Sequence, residues 1–589
     1  MNKIEEIKKE RGGLEMEAAL FHYAQVGWRA ISDDDKERLK WWGIFFRKPT
    51  PGFFMMRIRV PNGITNARQF RTIAQISTES GKDFADITTR QQIQIRNMTI
   101  EQVPEILARL KAVGLSTLQT GMDNIRNVIG CPVAGIHPGE IFDASPVVQE
   151  FTKLFVGNKE FTDLPRKLNP TITGCPDNCT HTESQDLAMT PAEREIDGMR
   201  CLGFHVSIGG KMGSGGLKLA TPLDLFVTQE EATPVAAEIV RIFRDHGPRD
   251  ARNKCRISFL MDEWGAEKFR AQLEERLGRT FHRAGTDLRK PTHSDHVGIY
   301  RQKQAGLNYV GVKVPTGRAT SGQLLQLADL AEKYGNGEIR LTIDQNVIIP
   351  NVPEDKVGAI AQEPLLQTFS YAPSEIMRGL VACTGREFCG LALIETKEMA
   401  LKITRGLEAK IPKTEPLTIH WSGCPSGCGN HLAADVGLQG AKAKVAGKIV
   451  DAAHLFLKGE KILEAVPLEQ MPALLEVMVP RLVRAGKALR ETAREVSTGP
   501  VVTGGKRIEV DGKPIAVFEV AGDLHGIDAV CPHEGGPLEQ GVVEGGCVTC
   551  PWHQYRFNLK TGVCVTEPAF KVATYPMEKR DGNLVVKKE

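Results

Sequence analysis

The sequence predicts an α+β protein, internally duplicated, with a small all-β module at its C-terminal end. Three observations carry this reading. A strand–helix–strand–helix unit recurs at a constant offset. Paired cysteines recur in the same order, complete in one copy only. From Arg507 onward the helical pattern gives way to short alternating runs broken by Asp-Gly and Gly-Asp turns.

Residues 1–50 are charged and helix-prone. They end in Lys40-Trp41-Trp42-Gly43-Ile44-Phe45-Phe46, where the tryptophans read as packing residues, and in the turn Pro49-Thr50-Pro51-Gly52. Phe53 to Val60 is an apolar strand carrying Arg57 and Arg59, closed by Pro61-Asn62-Gly63. Phe70, Ile73, Ala74 and Ile76 fall on one helix face between Asn66 and Ser80. Ile87-Thr88-Thr89-Arg90-Gln91-Gln92-Ile93-Gln94-Ile95-Arg96 alternates and is β-branched, which reads as a single strand. Val103, Ile106, Leu107 and Leu110 mark a further helix.

The unit then repeats. Val312-Lys313-Val314-Pro315-Thr316-Gly317 echoes Ile58-Arg59-Val60-Pro61-Asn62-Gly63, and Leu341 to Ile349 echoes Ile87 to Ile95. The offset is 254 residues in both (Pro61 to Pro315, Ile87 to Leu341), with Leu324, Leu327 and Leu330 on a helix between. A constant offset over two strands and a helix indicates duplication, and the element order suggests ferredoxin-like halves.

The cysteines follow the same duplication. Cys383 and Cys389 form a C-x5-C pair, and Cys424 and Cys428 a C-x3-C pair, each in Gly- and Pro-rich loops. Four thiolates of this spacing suit an iron–sulfur cluster; structural zinc is the rival, though its sites favour C-x2–4-C. The first copy offers Cys131, Cys175 and Cys179, but His137 stands nearest the position of Cys389. These three, with Cys201 and Cys255, read as structural or free thiols. Charge divides the other way: Arg57, Arg90 and Arg96 become Gly311, Asp344 and Pro350 in the second copy. The pattern suggests one shared site, with thiols from one half and anion-binding cations from the other; solvated surface arginines are the alternative reading.

The all-β module holds Cys531-Pro532-His533 and Cys550-Pro551-Trp552-His553. Two Cys and two His can bind zinc. The C-x-H dyad and the matching prolines instead resemble a Rieske domain, in which Cys531 and Cys550 would hold one iron of a [2Fe–2S] cluster and His533 and His553 the other. No histidine follows His553, so the 2-His-1-carboxylate iron site of a Rieske oxygenase is absent downstream.

Totals exclude other classes. The chain has 589 residues, 41% hydrophobic and 25% charged, enough for several cores. A net charge of +3 implies no bulk attraction to nucleic acid or membrane. The charged start is not a signal peptide and no apolar stretch reaches membrane-span length, so a cytoplasmic protein with reduced thiols is expected. No Gly-rich dinucleotide fingerprint appears in a βαβ context, which speaks against direct NAD(P)H use.

Residues 30–490 resemble the sirohaem-dependent nitrite and sulfite reductase family. The resemblance rests on both cysteine pairs, the Phe-Met-Met-Arg-Ile-Arg-Val-Pro and Thr-Thr-Arg-Gln strands, Asp-Asn-Ile-Arg-Asn, Leu-Pro-Arg-Lys and the duplication. It implies a [4Fe–4S] cluster on Cys383, Cys389, Cys424 and Cys428, with Cys428 bridging to the sirohaem iron. It assigns Arg57, Arg126 and Lys167 to the anionic substrate, with Asn169 where sulfite reductases typically carry lysine, and Arg90 and Arg96 to sirohaem carboxylates. The implied activity is reduction of nitrite to ammonium, with sulfite reduction the alternative. A non-catalytic iron–sulfur electron-transfer protein is the reading from another class. The Rieske domain would relay electrons from a donor protein, either ferredoxin or a flavoprotein reductase. The expected division is 1–50 N-terminal helical segment, 51–118 first ferredoxin-like half, 119–292 sirohaem and substrate domain, 293–365 second ferredoxin-like half, 366–496 [4Fe–4S] and sirohaem domain, and 500–589 Rieske domain.

Overall fold

The computed structural model describes residues 2–213, 215–290, 292–411, 414–482, 502–503, 505–510, 512–520, 523–533, 535–552, 555–580 and 583–586. Two compact units emerge, 1–476 and 477–589. Ser497-Thr498-Gly499-Pro500 reads in the sequence as a linker ending a helical stretch over about 471–495; it and His553 lie outside the described residues. So does everything beyond 482 of that helical stretch.

The repeated sequence units fold as two interlocked five-stranded sheets. The first orders its strands Ile44–Phe46, Phe54–Ile58, Ile93–Met98, Phe84–Ile87 and Arg318–Thr320. The second orders them Gly298–Arg301, Leu307–Val312, Val347–Pro353, Glu338–Leu341 and Ile64–Asn66. Each half thus lends its partner an edge strand, with Arg318 opposite Asp86 and Arg340 opposite Ile64. Helices Ala67–Ser80 and Ser321–Tyr334 pack on each other inside one shared apolar core that includes Phe70, Ile73, Leu324 and Leu327. Both open with the same capping box, Asn66 with Gln69 and Thr320 with Gln323, which satisfies helix N-terminal donors in the same way at the same offset.

Two expectations need correction here. Ile87 to Arg96 is not one strand but a hairpin, Phe84–Ile87 and Ile93–Met98, and Leu341 to Ile349 is its counterpart. The turns hold Gln91 at φ 52° and Gln345 at φ 65°, a left-handed conformation that the sequence signals with neither Gly nor Asn. The buried side chains explain the choice. Gln91 Nε2 donates to Gly130 O and, across the halves, to Leu341 O (3.0 and 3.1 Å); Gln345 Nε2 donates to Ala382 O and, reciprocally, to Ile87 O (both 3.0 Å). The second correction concerns residue 51 as a boundary: strand Ile44–Phe46, inside the expected N-terminal segment, belongs to the first sheet. Trp41 does pack, fully buried, with Nε1 on Thr162 O (3.0 Å).

Each half continues into a second sheet. In the first lobe Pro170–Ile172 runs parallel to Leu187–Ile196, which pairs antiparallel with Met199–Ile208. In the second Ile419–Ser422 runs parallel to Val436–Val445, which pairs antiparallel with Lys448–Leu457. The cysteine loops Cys175–Cys179 and Cys424–Cys428 therefore leave corresponding strands. The C-terminal unit has two antiparallel sheets: Val502–Thr503, Val542–Glu544, Cys547–Thr549 and Arg556–Asn558 in one, and Lys506–Val510, Lys513–Val520, Asp523–Asp528, Thr574–Arg580 and Asn583–Val586 in the other.

Candidate active site

All four cysteines of the complete set, Cys383, Cys389, Cys424 and Cys428, line one cleft of about 370 Å³ in the first unit. Lys40, Arg47, Arg57, Arg90, Arg126, Arg166, Lys167 and Lys397 line it too, and Asp86 is the one carboxylate among its described lining residues. The thiols come from the second lobe and most of the cations from the first half, as the division of charge predicts. The hairpin carrying Arg90 reaches across to the cluster loop, where Thr89 Oγ1 donates to Cys428 O (2.9 Å).

The thiols sit in a backbone built to receive them. Strand Leu380–Ala382 delivers Cys383, whose Sγ accepts from Gly423 N (3.1 Å). Burial, with Cys428 nearby, pushes the Cys383 thiol up to about 11, so loading iron must displace its proton. Among the described residues no three Cys, His, Asp or Glu side chains gather on a single ion. Four thiols lining one cleft make up the four-cysteine ligand number of an iron–sulfur cluster. The hairpin Lys211–Gly213 and Gly216–Lys218 closes over this loop. A Cβ on Gly213, at φ 135°, would stand 2.7 Å from Ser426 O.

Five of these cations lack counter-ions. Arg47, Arg57, Arg90, Arg126 and Lys167 form no ion pair with a carboxylate among the described residues. Arg57 and Arg126 both donate to Thr120 O (3.0 Å each), which holds the two guanidinium groups side by side. Phe45 lies between Arg47 and Arg57, 5.2 and 4.8 Å from them, as a cation–π spacer. Burial, and then Arg47, pushes Arg57 down to about 9; burial pushes Arg47 down to about 10. Burial and Arg256 hold Lys167 well below the lysine range. Nε of Arg47, Nε of Arg126 and Nε2 of Gln92 are buried without a hydrogen-bond partner. Orphaned donors on unpaired cations call for an anion. A tetrapyrrole bearing several carboxylates fits that demand.

Two residues depart from expectation. Arg96 is 1% exposed and does not line the cleft; its guanidinium is taken by Asp86 Oδ2 (2.6 Å), Gln94 Oε1 (2.7 Å) and Thr384 Oγ1 (2.7 Å). It therefore has no fork left for a cofactor carboxylate. Asn169 is 4% exposed and set back from the cleft, its backbone N–H on Asp186, which in turn pairs with Arg256. Sequence reasoning missed Arg47, Lys397 and Asp86. Arg47 sits in a loop without a motif, and Lys397 and Asp86 meet only in three dimensions. The first-copy thiols Cys131, Cys175 and Cys179 are buried apart from the cleft, with Cys179 Sγ 3.2 Å from His296 Nε2. Asp344, the counterpart of Arg90, pairs with His293 (3.1 Å).

In the second unit strand Cys547–Thr549 leads into Cys550, and strand Asp523–Asp528 leads towards Cys531. Both thiols are buried, and Gly536 lets the two loops meet, since a Cβ there would stand 2.7 Å from Cys550 Sγ. The His533 ring faces Tyr555 at 4.6 Å.

Similarity to known proteins agrees with this geometry. The nitrite/sulfite reductase ferredoxin-like half domain matches twice, at 46–113 and 300–366, and the nitrite and sulphite reductase 4Fe-4S domain matches 121–281. The Rieske [2Fe-2S] domain matches 492–576. Ferredoxin–nitrite reductase of Synechococcus elongatus is 43% identical, covering 81% of this chain and 96% of its own length. The assimilatory ferredoxin-dependent nitrite reductase of Haloferax mediterranei is 36% identical over 81% of this chain and 88% of its own. The solved structure of Mycobacterium tuberculosis NirA superposes with a TM-score of 0.77 at 31% identity, covering 82% of this chain and 94% of that one. The chain belongs to the nitrite and sulfite reductase family, with sirohaem and a [4Fe–4S] cluster as its cofactors and a Rieske [2Fe–2S] domain at its C-terminal end.

Proposed function

We propose that this chain reduces nitrite to ammonium, taking six electrons one at a time from a reduced ferredoxin. The observation that carries the proposal is the pairing, in one cleft, of four thiols with five cations, Arg47, Arg57, Arg90, Arg126 and Lys167, that have no counter-ion among the described residues. Cys383, Cys389, Cys424 and Cys428 would hold the cluster, with Cys428, the exposed member, shared with the sirohaem iron. Arg90 and Arg47 would meet cofactor carboxylates, and Arg96 supports the cluster loop from behind through Thr384. The bound sirohaem and cluster supply the redox chemistry.

The chain's own groups bind the anion and move protons. Arg57 and Arg126 are held side by side on Thr120 O, and their remaining positive charge in the cleft stabilises charge developing on the substrate oxygens. Reduction of nitrite to ammonium consumes eight protons and releases two waters. Lys167, with its proton affinity lowered by burial and Arg256, gives up a proton more readily than an ordinary lysine and serves as the general acid. Asn169, two residues beyond Lys167, adds no further cation there, which favours a monoanion over the sulfite dianion. The Rieske domain relays electrons from the donor.

The deciding experiment compares kcat/KM for nitrite and sulfite on the holoenzyme with ferredoxin and with a small artificial reductant. A clear preference for sulfite overturns the proposal. Asn169→Lys is expected to raise sulfite turnover relative to nitrite.

A further inference from the structure

Beneath Cys383 lies a buried charge network that nitrite binding does not use. Asp86, on strand Phe84–Ile87, is 2% exposed. Its carboxylate accepts from Arg96 Nε (2.6 Å) and Arg318 Nε (2.8 Å) and stands 3.8 Å from Lys397 Nζ. Three cations thus face Asp86; Arg318 also meets the exposed Glu387 (3.5 Å), and among the buried groups of the network positive charge remains in excess. Lys397, at the first turn of helix Lys397–Lys410, is 3% exposed. Its ammonium donates to Thr316 O and to Ala382 O (3.4 Å).

The network brackets Cys383 in the chain. Lys397 holds Ala382, the residue before it. Arg96 holds Thr384, the residue after it, through Oγ1 (2.7 Å). Thr396, next to Lys397, donates to Cys383 O (2.6 Å). Asp86 and Arg96 come from the first half, Thr316 and Arg318 from the second, and Cys383 and Lys397 from the cluster segment. All three meet under one thiol.

We propose that Asp86 and Lys397 are positioning residues for the [4Fe–4S] centre, fixing Cys383 between them and setting the cluster's reduction potential through the excess buried positive charge. The inference rests on reading the four cysteines as the cluster ligands, and not on nitrite as substrate. Reduction adds one negative charge to the cluster. A buried cation in electrostatic reach favours the reduced form, and low dielectric makes the effect larger than at a surface. Removing the cation must therefore lower the potential. Removing the carboxylate leaves Arg96 and Lys397 without a carboxylate partner, and Arg318 with the exposed Glu387 alone, and must raise it.

The test is redox potentiometry of the full-length holoenzyme, following the [4Fe–4S] signal by electron paramagnetic resonance, with iron content measured in parallel. Lys397→Met is expected to shift the midpoint to more negative potential, Asp86→Asn to more positive potential, and Lys397→Arg to restore the wild-type value. Opposite signs are what a merely structural role would not produce. An unchanged midpoint in Lys397→Met, or shifts of the same sign in both variants, overturns the proposal. If Lys397→Met loses iron, Lys397→Arg decides: recovery of iron and midpoint supports the buried cation, and a variant equally empty overturns it. Wild-type enzyme without any [4Fe–4S] signal would instead sink the ligand assignment itself.

Discussion

Lys167 stands among Arg90, Arg126 and Arg256 and is kept well below the ordinary lysine value of 10.5 by burial and then by those cations. The sign follows directly. A cation whose pKa is depressed is charged below that pKa and neutral above it, so anion binding weakens as pH rises through it. KM for nitrite is therefore expected to begin rising well below pH 10.5, and Lys167→Arg, which stays charged, to flatten that alkaline limb. Steady-state kinetics across pH checks both. Arg57→Gln removes one of two aligned donors and is expected to lower kcat/KM for nitrite about 10²-fold, about 2.7 kcal/mol, with the cofactor spectrum intact. These residues were legible because they sit in short motifs. Arg96 looked equivalent to Arg90 in the sequence and is not, because Asp86, ten residues earlier and across a hairpin, claims its guanidinium. Nothing in one dimension shows that a charge is already paired.

The hairpin turns were the element least visible in the sequence. Thr88-Thr89-Arg90-Gln91-Gln92 contains no turn residue and sits between β-branched flanks, so alternation reads straight through it. What selects the turn is tertiary: the glutamine amides at 91 and 345 each clamp backbone groups of the opposite half. Gln91→Ala forfeits the bonds to Gly130 and Leu341 and orphans their carbonyls, which is expected to cost about 3 kcal/mol. A lowered thermal midpoint in calorimetry would show it. The cluster loop depends on a second element. Gly213→Ala places a Cβ against Ser426 O, and lower iron content per chain after anaerobic purification is the expected result. Helices were easier to place. Ala67–Ser80 and Ser321–Tyr334 have both the apolar period and the caps that mark their ends.

At the scale of the molecule, the duplication and the change of character near residue 507 make the architecture legible, because offsets and turn frequency survive in one dimension. What they could not give is the exchange of edge strands, which depends on which surfaces of two similar halves find each other. The Rieske role is a whole-molecule prediction. Cys531→Ser is expected to abolish turnover with ferredoxin while preserving turnover with a small artificial reductant; full ferredoxin-driven activity in that variant would end the relay reading. No helix among the described residues is long and apolar enough to cross a membrane.

The borrowed edge strands have a consequence for ancestry. Two halves that complete one another's sheets have the form of a twofold dimer written into one polypeptide. In such a dimer one gene encodes both copies of every site, so a mutation strikes both or neither. Once fused, the copies can drift independently. One copy can surrender a thiol and the other its arginines, and a single working centre remains where symmetry would have imposed two.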